Sequence, residues 1–428
     1  MIQEFKIKNY KSFRDEVMLS FEATKDTTFE STQVVEVTNG VRLLRLALIY
    51  GANASGKSNL LDAFDFLRKF WFMRHDDMDE TTGTIPFLLD SETPREPSEF
   101  SLKFYIGCIH YWYVLSLDTH HVVSEKLYYY KSVQPTMLFT RVYQNGQSVI
   151  KFNPAVLKVS STVVDEITIK CLPNMSFFAA RNMVNCALGP IDDARDWMRH
   201  TMPLIDPRTL MSNYAGRKMM EDARMKKYIL DFIHRADYNI TDVSVEKKVE
   251  PIPADFRDFL MNEGDLSKED KKKLQGKPVY DRVDTNFEHT VKNVRGVEKY
   301  TLPNEMQSQG TRRTFGIEAA IYQAMSNDEF LSIDEIESSL HPELIEFILE
   351  QFLKVHSRSQ LLVTTHYDPL LNTIDDLIRK DSVWFTEKGE DGSSELYSLS
   401  DFKGLNKIHS FQKSYRNGRF GALPNIQV

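Results

Sequence analysis

The stretch LLRLALIYGANASGKSN, residues Leu43 to Asn59, decides how this chain is read. Leu43 to Tyr50 is almost continuously apolar, the pattern of a strand buried on both faces of a parallel sheet. Gly51 to Ser58, GANASGKS, then matches G-x-x-x-x-G-K-[ST] at every fixed position. The short side chains of Gly51, Asn53, Ala54, Ser55 and Gly56 let backbone N–H groups turn inward around a β-phosphate, and the helix that follows offers its N-terminus to the anion. Lys57 then reaches toward the β- and γ-phosphates, the hydroxyl of Ser58 holds Mg²⁺, and Asn59 is counted with the nucleotide-binding residues. Apolar residues at helical spacing in NLLDAFDFLRKFWF supply the helix.

A phosphate cradle of this kind needs a carboxylate for the magnesium and a group to polarise the attacking water. FLSIDEIE offers both at the end of an apolar strand, with Asp334 as the magnesium partner and Glu335 as the general base. After a helical stretch, QLLVTTH ends a further apolar strand on His366, placed to meet the γ-phosphate or the attacking water. EMQSQGTRRTFG puts Ser308 and Gly310 at a helix start, a second anion-binding terminus. One protein needs two such termini when a single nucleotide is clamped from both sides.

The chain has 428 residues, enough for two or three cores, with 42% hydrophobic and 27% charged residues, as in water-soluble globular proteins. No apolar run approaches a membrane span, and the N-terminus lacks a signal core, so a cytoplasmic location is expected. Three scattered cysteines fit neither a disulfide framework nor a zinc knuckle. A net charge of -8 confines any nucleic-acid binding to a local patch, and the basic clusters at Arg217 to Lys227 and Lys268 to Lys277 are interleaved with acids. Aromatic and β-branched stretches between Phe87 and Val164 suggest an antiparallel sheet, and FKIKNYKSF an edge-type strand before it. From Asn174 to Ala236 the pattern turns helical. Asp265 to Lys277 is a charged loop or helix, strand character returns near Phe287 to Leu302, and strand–helix–strand spacing beyond it indicates a parallel α/β core.

Taken together, FKIKNYKSF, GANASGKSN, QSQGTRR, LSIDEIESSLHPEL, LLVTTH and the tail from VWFTEK to GRFGALP resemble the RecF- and SMC-like ABC ATPases. Among these the chain is most similar to the bacterial AAA family ATP-binding proteins of the RloA and AbiL type, relatives of the OLD family. The resemblance implies an α/β fold: an ABC-type ATPase head, made of a P-loop parallel core plus an antiparallel β lobe, with a compact, mainly helical insertion. The expected division is 1–170 for the Walker A lobe, 171–285 for the insertion and 286–428 for the lobe with signature, Walker B, D-loop and switch histidine. It implies ATP hydrolysis with Mg²⁺ and a homodimer or higher homo-oligomer in which Ser308 and Gly310 act on the partner's ATP. SSLHP, Ser338 to Pro342, is the D-loop by the same resemblance, with His341 near the dimer interface; the Q-loop glutamine has no clear match.

Several of those relatives carry a nuclease domain after the ATPase, and the stretch beyond His366 leaves little room for one. The expected partner is therefore a separate nuclease-type effector, controlled by the ATPase in anti-phage defence of the abortive-infection type. The alternative is a RecF-like clamp or scaffold whose partner is DNA. No guanine-reading N-K-x-D is present. The wide separation of Lys57 and Asp334 departs from a transporter nucleotide-binding domain.

Overall fold

Arg45 breaks the apolar run in two. Val41–Leu44 pairs antiparallel with Val34–Thr38, whereas Leu46–Gly51 enters a separate five-stranded sheet. The side chain between them is 1% exposed, and its guanidinium donates to the carbonyls of Thr32 at 3.0 Å, Phe352 at 3.2 Å and Val355 at 2.5 Å. A buried guanidinium must satisfy its donors. The carbonyls at the C-terminal end of helix Pro342–Lys354 do this, which fixes the point at which the chain leaves one sheet for the next.

The computed structural model describes residues 1–236, 239–253, 257 and 279–424. They form two compact units, Met1–Pro207 with Ala324–Val428, and Arg208–Gln323. The expected charged segment 265–277 lies outside the described residues.

In the first unit the five-stranded sheet runs Phe330–Ile333, Gln360–Thr365, Leu46–Gly51, Val383–Lys388 and Ser394–Ser398. The first four strands are parallel and the last is antiparallel. All residues of Leu46–Gly51 and Gln360–Thr365 are buried, as continuous apolar runs require in a sheet covered on both faces. Register sets the site: Thr364 lies opposite Ile49, Thr365 opposite Tyr50, and Thr386 opposite Gly51.

A seven-stranded antiparallel sheet completes this unit, with the strands from Ser98 to Phe152 arranged as a meander. The opening strand Ile2–Lys8 is not at its edge. It lies between Val17–Ser20 and Ser98–Ile106, because Ile2, Phe5 and Ile7 are buried core residues and both of its backbone sides are paired. One continuous core joins this sheet to helix Lys57–Phe70 through Phe5, Leu60, Phe64, Leu67 and Phe100. Helices Phe177–Arg181 and Pro190–Arg199 belong to the same core.

The second unit and the expected insertion, 171–285, overlap without coinciding. Its helices Ser212–Glu221 and Ala223–Arg235 are joined by a three-stranded antiparallel sheet of Asp242–Pro251, Val279–Asn293 and Gly296–Pro303. Ala215, Met219, Ile229, Val243, Phe287 and Phe315 form its core. Asp242–Pro251 gives little period-two signal in the sequence because most of its side chains are exposed and half of them are charged. No helix among the described residues is long and apolar enough to cross a membrane.

Candidate functional site

The two fixed glycines of the loop are required for different reasons. At Gly51 a Cβ would come within 2.5 Å of the carbonyl of Thr386 on the adjacent strand, so the site is closed to any side chain. Gly56 has φ +111°, in the left-handed half of backbone space, and a Cβ there would lie 2.5 Å from the hydroxyl of Ser394. Between them Ala54 also has a positive φ of 61°. The hydroxyl of Ser55 meets that of Thr386 at 2.6 Å, and the Asn59 amide donates to the Ser12 hydroxyl at 2.8 Å, which fastens the loop from behind.

Lys57 starts helix Lys57–Phe70 and is only 5% exposed. Its ammonium donates to the carbonyls of Gly51 at 2.9 Å and Ala52 at 3.0 Å. Burial pulls its pKa below the ordinary lysine value, and the negative charges of Asp334, Glu335 and Glu337 work against that shift. A buried cation ringed by carboxylates at the mouth of a backbone loop is suited to an anion that a metal ion accompanies.

Asp334 and Glu335 follow strand Phe330–Ile333, and a single hydroxyl holds both. Thr364 donates to Asp334 Oδ1, and its oxygen accepts the backbone N–H of Glu335 at 2.8 Å. Asp334 is 6% exposed, and its N–H donates to the Ile205 carbonyl at 2.8 Å. Glu335 has φ 45°, an uncommon value for a residue with a side chain, and its side chain is half-buried.

His366 stands at the end of the neighbouring strand Gln360–Thr365. Its Nδ1 is 3.4 Å from the Lys57 ammonium and its Nε2 is 3.7 Å from Glu335 Oε1. Its backbone N–H donates to the Glu337 carboxylate. Lys57, His366, Glu335 and Asp334 are thus gathered at one edge of the sheet, as their positions at strand ends lead one to expect.

An open cavity of about 780 Å³ lies against this edge, lined by Gly51, Ala52, Asn53 and His366 together with Asp368 and Arg416. Ser58 is exposed on the first turn of the helix. Asp334 and Ser58 carry the carboxylate and hydroxyl oxygens that suit magnesium, a cation whose shell is otherwise completed by phosphate oxygens and water. No group of three or more His, Cys, Asp or Glu that could hold a metal occurs among the described residues.

Thr364, Glu337, Thr386, Ser12 and Ser394 were not singled out in the sequence. Of these, Thr364 carries a local signal, since it precedes His366 by two positions in a strand already assigned. Ser308 and Gly310 belong to the second unit. There the Ser308 hydroxyl accepts the N–H of Thr311 at 3.1 Å and caps helix Gln309–Asn327, with Gly310 in its first turn.

A family model described as "AAA domain, putative AbiEii toxin, Type IV TA system" matches residues 46–148 and 195–372, well over half the chain. No curated protein matches. Two solved structures are similar over nearly the whole length. The SMC head domain from Thermotoga maritima is 12% identical with a TM-score of 0.38, covering 93% of this chain and 98% of its own. The SMC head bound to the C-winged helix domain of ScpA is 16% identical with a TM-score of 0.42, covering 95% and 99%.

Proposed function

From the premise that the chain belongs to this AAA-domain family of ATPase-type proteins, we propose that it binds and hydrolyses ATP with Mg²⁺, closes as a homodimer around the nucleotide, and thereby controls a separate nuclease-type effector in anti-phage defence. The observation that carries this reading is the line from Lys57 through His366 to Glu335, with contacts of 3.4 Å and 3.7 Å. The AbiEii wording of the family description favours the abortive-infection setting.

The roles follow from the chemistry of each side chain. Lys57 exchanges its carbonyl partners for the β- and γ-phosphate oxygens, a charge-assisted contact made by a buried ammonium. Ser58 and Asp334 hold Mg²⁺, which when bound neutralises charge on the phosphate oxygens. Glu335, half-buried and fixed through its backbone, accepts the proton of the attacking water on a carboxylate oxygen. His366 sits between the lysine and that carboxylate and orients the water. Ser308 and Gly310 complete the site from the partner chain.

Substituting Glu335→Gln tests the assignment. Nucleotide affinity stays near wild type, turnover falls by roughly 10²–10⁴-fold, and an ATP-bound dimer accumulates in size-exclusion chromatography. Wild-type turnover in this variant removes Glu335 from its role. Turnover that rises only when DNA is added would favour the clamp reading over effector control.

A further inference from the structure

The cavity beside the loop extends past the residues assigned so far, to the C-terminal helix Phe411–Arg416. The Lys57 ammonium marks which end of the loop it adjoins. Gly51 and Ala52, whose carbonyls hold that ammonium, also line the cavity, as does His366. In a loop of this type the lysine serves the β- and γ-phosphates, so the cavity opens at the terminal-phosphate end.

We propose that Arg416 is a binding residue for the terminal phosphate of the nucleotide, supplied by the same chain that carries the loop. This rests on the ATP-binding reading of the loop given above. Asp368, two residues after His366, takes one edge of the guanidinium: Nε lies 2.5 Å from Oδ2 and Nη2 3.0 Å from Oδ1. Gln412, on the same helix, donates to Asp368 Oδ1 at 3.2 Å, which ties the helix to the turn after the histidine. Asp368 therefore acts as a positioning residue. It orients the planar fork and leaves the Nη1 edge for a second anion.

Magnitudes support a ligand role over a purely structural one. The Arg416 side chain is 61% exposed, and an ion pair that open to solvent contributes little to stability. A guanidinium on a phosphate, by contrast, is among the stronger polar contacts, and its fork geometry suits phosphate oxygens better than a lysine does. The terminal phosphate is also the group that separates ATP from ADP. Arg416 would thus make the site sense the triphosphate, in addition to whatever the partner chain supplies.

Calorimetric titration of the full chain with ADP and with a non-hydrolysable ATP analogue tests this. Arg416→Ala, or Arg416→Gln if the alanine variant folds poorly, lowers the ratio of analogue to ADP affinity by roughly tenfold, the size of one lost charge-assisted hydrogen bond, with ADP affinity unchanged. Arg416→Lys gives an intermediate ratio. A ratio equal to wild type, or a parallel loss for both nucleotides, overturns the proposal, because a merely structural tie would move both together. Failure of the wild-type chain to bind either nucleotide would instead overturn the reading of the loop itself.

Discussion

Thr364 donates its hydroxyl proton to the carboxylate of Asp334, and the oxygen that gives this proton is itself held by the backbone N–H of Glu335 at 2.8 Å. One side chain therefore sets both the buried acid and the half-buried one. Thr364→Val keeps the shape and removes the hydroxyl. The expected result is a loss of about 1–3 kcal/mol in stability by denaturant titration, since Asp334 is left short of a donor. Turnover falls while ADP binding, which depends on Lys57, is spared. Wild-type turnover and stability would show that the hydroxyl positions nothing.

Gly56→Ala should fail for two separable reasons. The backbone there has φ +111°, and the added Cβ would press on the Ser394 hydroxyl at 2.5 Å. Strain of this type costs about 1–3 kcal/mol, read as a lowered melting temperature together with lost nucleotide affinity. Adding Ser394→Gly relieves the contact but leaves the backbone strain, so the double variant recovers only part of the stability. Full recovery would mean that the backbone angle is immaterial.

Glu318, in the second unit, is fully buried, and its carboxylate accepts a hydrogen bond from the Tyr228 hydroxyl at 3.0 Å. The other oxygen, Oε1, has no hydrogen-bond partner among the described residues. Burial pushes its pKa from the ordinary 4.5 up to about 8. Between those values the unfolded chain has released a proton that the folded chain still binds, so the stability of this unit falls as pH rises and the full cost is present above about 8. Glu318→Gln flattens this dependence, which denaturant midpoints at about pH 5.5 and about pH 8.5 would reveal. A wild-type midpoint that does not fall between them would contradict the buried-acid account.

The loop and the strand ends were legible because their signals are local. Leu46–Gly51 is a continuous apolar run, and the spacing from Gly51 to Ser58 is contained in one turn of chain. Asp334, Glu335 and His366 each close an apolar strand, so a sheet with parallel strands brings them to the same edge. Thr386, Ser394 and Ser12 could not be found this way, since strand register and loop packing from distant parts of the chain place them against Gly51, Gly56 and Asn59. The single strand expected from Leu43 to Tyr50 is divided between two sheets at Arg45, whose buried guanidinium collects carbonyls from more than 300 positions away. The sheet of the second unit was only partly visible, because a largely exposed strand rich in charges lacks the apolar face that period-two patterns rely on.

The central claim is that each nucleotide is held by Lys57 of one chain and Ser308 of another. Lys57→Ala and Ser308→Arg should each abolish turnover when assayed alone. Mixed together, they form heterodimers in which one of the two sites has an intact loop from the Ser308→Arg chain and an intact helix start from the Lys57→Ala chain. ATPase activity measured across mixing ratios is predicted to reappear and to peak near equal amounts of the two. A mixture that stays as inactive as its components at every ratio, or a Ser308→Arg chain that turns over ATP normally by itself, would contradict the shared site.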